Sequence, residues 1–336
     1  MTATLEFVYI GIAIALFFDF VNGFHDSANS IATVVGTRVL RPLHAVGIAA
    51  VANFSGPFIF GTAVAATVGK GIIQPQFSTV EVILAGLIGG ITWDLITWYF
   101  GLPSSSSHAL VGGLIGAGVM SGGWNAVLWT GKGIQDTLVF MVASPMIGLF
   151  VAFALALAIM YFLRHFNPGL VNKTFGRLQI VSSAFLSITH GAGDGQKTMG
   201  VITALLIAGG ILSSKSFVVP VPVILGAAIA MALGTFIGGW RIVKTMAFRL
   251  TNLRPFQGFC AETGGGAILT TMALLGIPVS TTHAISGAIM GVGATKRLSA
   301  VRWGLGRRIV YAWIVTIPAS AAAAAASYLI ISAISR

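Results

Sequence analysis

Residues 22–35 read NGFHDSANSIATVV, and residues 190–203 read HGAGDGQKTMGVIT. Aligned, they set Asp26 on Asp194, an offset of 168 in a chain of 336 residues. A second pair follows in the same order. GLPSSSSHALVGGLIGAG at 101–118 matches GIPVSTTHAISGAIMGVG at 276–293, which sets Pro103 on Pro278, Ser105 on Ser280 and His108 on His283. A weaker third match pairs Gly56 with Gly234, Gly61 with Gly239 and Thr67 with Thr245. Three ordered matches at similar offsets mark an internal duplication. The expected halves are 1–165 and 178–336, with a polar connection over 166–177 inside RHFNPGLVNKTFGR.

The composition says where these halves reside. Hydrophobic residues make up 56% of the chain and charged residues 8%, against roughly 25% charged in a soluble domain. So few charges cannot cover a surface facing water. Apolar runs of about 20 residues recur, long enough to cross a hydrocarbon core of roughly 30 Å. The chain therefore reads as an all-α membrane protein that crosses the bilayer several times. The 43 glycines lie mostly within the apolar runs, where small residues allow close helix contacts and breaks. The net charge of +11 does not point to nucleic acid, because the basic residues fall between the apolar runs. A single cysteine, Cys260, excludes an internal disulfide. The first apolar stretch follows no basic n-region, so it is expected to be a membrane helix and not a removable signal.

The basic residues also set the direction of each run. They cluster at Arg38 and Arg41; at Arg164, Lys173 and Arg177; from Arg241 to Arg254; and from Lys296 to Arg308. With all four clusters in the cytoplasm, residues 5–36 run inward, 43–66 outward and 137–163 inward. In the second half 179–212 run outward, 217–239 inward and 309–333 outward. Segments 79–121 and 257–294 must then each return to the side they started from, as re-entrant helical hairpins turning at Gly-x-Pro. The halves have opposite orientation, and the hairpin tips point at each other. Inverted repeats with interrupted helices at mid-membrane are an architecture of secondary transporters.

The tips, PSSSSH at 103–108 and PVSTTH at 278–283, carry helix-start chemistry. Proline favours the first helical turn, and serine or threonine the N-cap. Each tip should open a helix whose free N–H groups and hydroxyls face the turn, a surrounding that attracts anions. Two such ends can hold a tetrahedral oxyanion through Ser104, Ser105, Ser106, Ser107, Ser280, Thr281 and Thr282, without lysine or arginine. Plain capping is the alternative for either tip alone. The matched positions in a duplicated chain favour the binding role.

Asp26 and Asp194 lie inside apolar runs, where an ionised carboxylate is costly and usually functional. Neighbouring glycines are expected to break both helices there and expose carbonyls. With Asn22, Asn29 and Glu262, this would suit a hard cation; a carboxylate could instead carry a proton, or bind a protonated anion. Lys197 stands where the first half has Asn29. A fixed ammonium in that place stands in for a bound cation, contacts the anion, or pairs with Asp194. Asp19, Asp94, His25, His108, His190 and His283 are the other polar groups in apolar surroundings, and no zinc-type spacing occurs. Serine–histidine neighbours without a nucleophile-elbow motif argue against a hydrolase, and carboxylates facing the anion argue against an anion channel.

GFHDSANS and HGAGDGQKT resemble the duplicated GANDVANA-type motif of the inorganic phosphate transporter (PiT) family. PSSSSHALVGG and PVSTTHAISG resemble its duplicated P-x-S-x-S/T-H motif, and GFCAET its acidic element. The resemblance spans nearly the whole chain. It implies a symporter of inorganic phosphate in a bacterial or archaeal plasma membrane, homodimeric, without a cofactor beyond its coupling cation. Asp26, Asn29, Asp194 and the hydroxyl clusters would line its sites. The chain departs from the pattern at His25, Gly193, Gln196 and Lys197. That form is similar to bacterial members that use protons in place of sodium and carry phosphate as a metal complex. The family also includes sulfate carriers.

Overall fold

The computed structural model describes residues 5–213 and 215–334; the outermost residues of the two expected halves lie outside this range. Apart from single-turn 3-10 segments, a short π-helical stretch and one isolated bridge between Ile73 and Val127, the described residues form helices and connections. The first half contains α1 (Leu5–Gly36), α2 (Pro42–Phe60), α3 (Ala63–Lys70), α4 (Val80–Phe100), α5 (Ser106–Gly122) and α6 (Lys132–Phe162). The second contains α7 (Pro168–Ala208), α8 (Val221–Ile237), α9 (Trp240–Lys244), α10 (Pro255–Leu274), α11 (Thr281–Ala294) and α12 (Trp303–Ile334). Helices α1, α2, α4, α6 and α12 are each long and apolar enough to cross a membrane, and α8 with the stretch after it forms a sixth such unit bent by 54°. Much of α6 and α12 is exposed and apolar, including Val142, Met146 and Phe150 on one and Tyr311, Ile314 and Ile330 on the other. Such faces suit lipid, not water, and the chain is a multi-pass membrane protein.

Contacts between the halves come in exchanged pairs. Helix α1 packs on α8 as α7 packs on α2; α5 packs on α12 as α11 packs on α6. The matched glycines make these approaches possible. A Cβ on Gly234 would sit 2.1 Å from the Phe20 carbonyl oxygen, and one on Gly56 would sit 2.4 Å from that of Ile188. Gly112 and Gly116 meet the α12 backbone in the same way, and Gly287 and Gly291 that of α6. Backbones this close exclude any side chain between them, and dispersion contacts replace the absent hydrophobic drive of an oily solvent.

Helices α1 and α7 are antiparallel. Val8, near the start of α1, meets Gly209 at the end of α7, while Val39, just past α1, meets Gly176 near the start of α7. The four basic clusters share the second of these ends, as shown by Gly36 against Ala247, Arg302 N–H donating to the Leu250 carbonyl, and Lys296 donating to that of Asn252. The α4–α5 pair begins and finishes at the opposite end, where Gly122 meets Phe77; the α10–α11 pair begins and finishes at the basic end, where Gly293 meets Thr251. Each pair turns on a left-handed glycine, Gly101 with φ 65° and Gly276 with φ 69°, which a side chain would strain. Thr245 donates to the Gly101 carbonyl and its counterpart Thr67 to that of Gly276, both at 2.8 Å.

One expectation requires correction. Helices α1 and α7 are not broken at Asp26 and Asp194 but run unbroken through them. The glycines there serve packing instead: a Cβ on Gly23 would lie 2.3 Å from the Met231 carbonyl oxygen, and one on Gly191 2.1 Å from that of Asn53. The carbonyls of this stretch therefore stay within the helix. The breaks fall at the other matched pair, between α2 and α3 at Gly61 and between α8 and α9 at Gly238 and Gly239. Amides freed there are satisfied by side chains of the acidic motifs: Gly239 N–H donates to Ser27 Oγ at 2.6 Å, and Val64 N–H to Gln196 Oε1 at 2.8 Å. In the connection, residues 168–177 are already helical and open α7, which Asn167 caps.

Gly234→Ala should destabilise the protein by about 1–3 kcal/mol through overpacking against α1. Gly47→Ala, where a Cβ meets nothing within 4 Å, should leave stability unchanged or raise it by up to about 1 kcal/mol. Thermal unfolding in detergent compares the two.

Candidate functional site

Ser105 and Ser280 are the N-caps of α5 and α11, accepting from the His108 and His283 amides at 3.3 and 3.2 Å. Helix geometry leaves the N–H groups of Ser106, Ser107, Thr281 and Thr282 without intrahelical acceptors. The two helix starts approach each other closely: the His108 and His283 rings are 4.7 Å apart, and His283 stacks on Trp313 at 3.8 Å. The hydroxyls at both starts are buried.

The acidic motifs of α1 and α7 meet these starts. Ser106 Oγ lies 2.9 Å from Asp26 Oδ2 and 2.7 Å from Asn22 Oδ1, and can donate to either. Its counterpart Thr281 donates to Asp194 Oδ2 at 3.3 Å. Asn29 reaches the other half, donating to Thr282 Oγ1 at 2.9 Å, and Thr282 lies 3.4 Å from Asp26 Oδ1. Lys197 crosses in the opposite sense: its ammonium donates to Ser107 Oγ, to the Val279 carbonyl at 3.0 Å and to Asp194. Each tip is thus held by both halves. An ammonium therefore sits between the two tips. Of the three roles open to Lys197, pairing with Asp194 is present.

Histidines complete the surroundings of both carboxylates. His25 Nδ1 donates to Asp26 Oδ1 at 2.6 Å, and His190 Nε2 lies 3.0 Å from Asp194 Oδ2. One ligand atom each from Asp26, His190 and Asp194 fall within 4.8 Å of one another. A proton or a small hard cation can be shared by such a group. Around it lie two helix starts, their hydroxyls and one ammonium, a donor set for a tetrahedral oxyanion.

Not every expected residue joins this cluster. Ser104 turns back to donate to Thr97 Oγ1 at 2.7 Å, beside His25 Nε2. Glu262 lies apart, accepting from Thr33 at 2.6 Å, from Gln179 at 3.0 Å and from Ser182. Sequence reading passed over Thr97, Gln179 and Asn53, which lies 3.2 Å from His190 and donates to Thr235 at 2.8 Å. Lone amides and hydroxyls within apolar runs were the available signal.

Lys197→Met leaves the buried Asp194 charge without its ammonium and should destabilise by roughly 3–5 kcal/mol. Removing both charges in Asp194→Asn/Lys197→Met should recover most of that loss, since neither group is then stranded. A double-mutant cycle by thermal unfolding reads both effects.

Comparison with known proteins places this geometry. The sequence pattern of the "Phosphate transporter family" matches residues 22–169 and 164–324. A "Probable low-affinity inorganic phosphate transporter" of Rhizobium meliloti (strain 1021) is 53% identical over 330 residues, covering 98% of each chain. One of the same name from Bacillus subtilis (strain 168) is 44% identical, covering 95% of this chain and 96% of its own. A solved structure described as "The sodium-dependent phosphate transporter" superposes with a TM-score of 0.87 at 26% identity, covering 98% of this chain and all of the other. These relatives are named as carriers and not as enzymes. The two matched motif pairs and their meeting at the tips accord with that kinship, and the chain belongs to the phosphate transporter family.

Proposed function

We propose that the chain is a symporter that moves inorganic phosphate across a plasma membrane by alternating access, with protons as the coupling cation. The carrying observation is the meeting of two matched helix starts around two buried carboxylates. Phosphate binds between Ser105, Ser106 and Ser107 on one side and Ser280, Thr281 and Thr282 on the other. Ser105 and Ser280 act by capping, and the free amides and remaining hydroxyls act as donors. Lys197 supplies a positive charge at the same place. Asp26 and Asp194 carry the coupling charge, Asn22 and Asn29 orient their neighbours, and Glu262 acts from its own pocket.

Coupling follows from charge. Two like unit charges 4 Å apart repel by about 4 kcal/mol at an effective dielectric of 20. Protonating a carboxylate beside the anion removes that repulsion, so each ligand strengthens the other's binding, and the linkage is reciprocal. Lys197 offsets Asp194 but has no equivalent beside Asp26, where Asn29 stands. Asp26, paired with His25, is therefore the group on which a coupling proton acts most. Antiparallel α1 and α7, the exchanged helix contacts and the hairpins entering from opposite ends support two inverted halves, 1–165 and 178–336. The basic end then faces the cytoplasm. A homodimer and transport of phosphate as a metal complex belong to the same reading.

Labelled phosphate uptake into proteoliposomes decides the substrate and the coupling ion. Uptake should follow an inward pH gradient more than a sodium gradient, sulfate should compete weakly, and magnesium should stimulate. Equal rates with no gradient and with either gradient would refute coupling. Asp26→Asn and Asp194→Asn should each abolish uptake in folded protein; activity in either one sinks the site assignment.

A further inference from the structure

We infer that Asp19 is a separate proton-carrying group of the transport cycle, joined to Asp26 along one face of α1. Asp19, Asn22 and Asp26 are spaced i, i+3 and i+7, so they line one side of the helix. Asn22 Oδ1 and Asp26 Oδ2 compete for the same Ser106 hydroxyl, at 2.7 and 2.9 Å. The shared hydroxyl links Asp26 to Asn22, which lies beside Asp19.

Asp19 is completely buried, and neither of its carboxylate oxygens has a hydrogen-bond partner among the described residues. Thr198 faces it from α7, and its hydroxyl is also buried without a partner. An ionised carboxylate in this position has lost its water and has only Thr198 and the Asn22 amide nearby, neither in full hydrogen-bond geometry, so the arrangement suits the neutral acid. Closer approach of these two donors would favour release of the proton.

The charged groups around Asp19 are few. Helix α7 contributes Asp194 and Lys197. Helix α4, also packed on α1, carries Asp94, which is buried and equally without partners but faces His25 and Asp26. Helix α8 has no titratable side chain between Val221 and Ile237, and the only one on α2, His44, is exposed at its first turn. Asp19 lies two turns from Asp26 toward the end of the bundle away from the basic clusters. Of the buried carboxylates on α1, Asp19 is the nearer to that end.

This inference rests on proton coupling, and the test separates the two. Phosphate–phosphate exchange in proteoliposomes reports binding and alternation; accumulation under a pH gradient also requires proton movement. Asp19→Asn should keep exchange within about twofold of wild type and lose accumulation by about tenfold or more. If wild type accumulates phosphate with sodium but not with a pH gradient, proton coupling falls and the inference with it. If wild type responds to pH and Asp19→Asn responds equally, only the role of Asp19 is overturned. Should the variant fail to fold or lose exchange, wild-type labelling decides. Dicyclohexylcarbodiimide attacks protonated carboxyls in apolar surroundings, and peptide mass spectrometry locates the adduct. Labelling at Asp19 that declines as pH rises upholds the assignment, and an unlabelled Asp19 overturns it.

Discussion

Two helix N-termini cannot lie inside a membrane protein unless something answers their unpaired N–H groups. The hydrocarbon core offers no water, so the protein must supply acceptors. Here the acceptors are Ser105 and Ser280 as caps, with Asp26 and Asp194 meeting the adjoining hydroxyls. The carboxylates need donors as much as the helix starts need acceptors, and each alone would be costly. This mutual requirement explains why the tips converge on the acidic motifs. It also explains why α1 and α7 must come so close to α8 and α2 that Gly23, Gly56, Gly191 and Gly234 have no room for a Cβ.

The same requirement accounts for the helix breaks. At Gly61 and at Gly238–Gly239 the amides left unpaired are met by Ser27 and Gln196, both next to residues of the central cluster. The break in each half is thus fastened to the acidic helix of the other half. Motion of α2–α3 or of α8–α9 would pull on α7 or α1, and so on Asp194 or Asp26.

Much of this was legible from residues. The duplication, the hairpins and the capped tips follow from motif order, from Gly-x-Pro and from Ser105 and Ser280, because local helix-start chemistry depends on a few adjacent side chains. The position of the breaks was not legible. Gly23 and Gly191 look like helix breakers in sequence, but whether glycine breaks a helix or allows a close crossing depends on the neighbouring helix, which no local pattern contains. For the same reason Glu262, counted among the site residues, sits in a separate network, and Ser104 meets the cluster only through His25. Which way a side chain turns off a tip is set by Thr97 and by Gln179, distant in sequence.

The two halves are alike in backbone and unlike in charge. Asn29 and Lys197 occupy equivalent places and reach equivalent hydroxyls, Thr282 and Ser107, yet one brings a neutral amide and the other an ammonium. At the second carboxylate the counter-charge belongs to the chain itself, Lys197 beside Asp194. At the first, Asp26 is met by His25 and by the Ser106 and Thr282 hydroxyls, with His190 close by. The duplication thus gives the two tips one backbone geometry, while the charge set beside them differs between the halves.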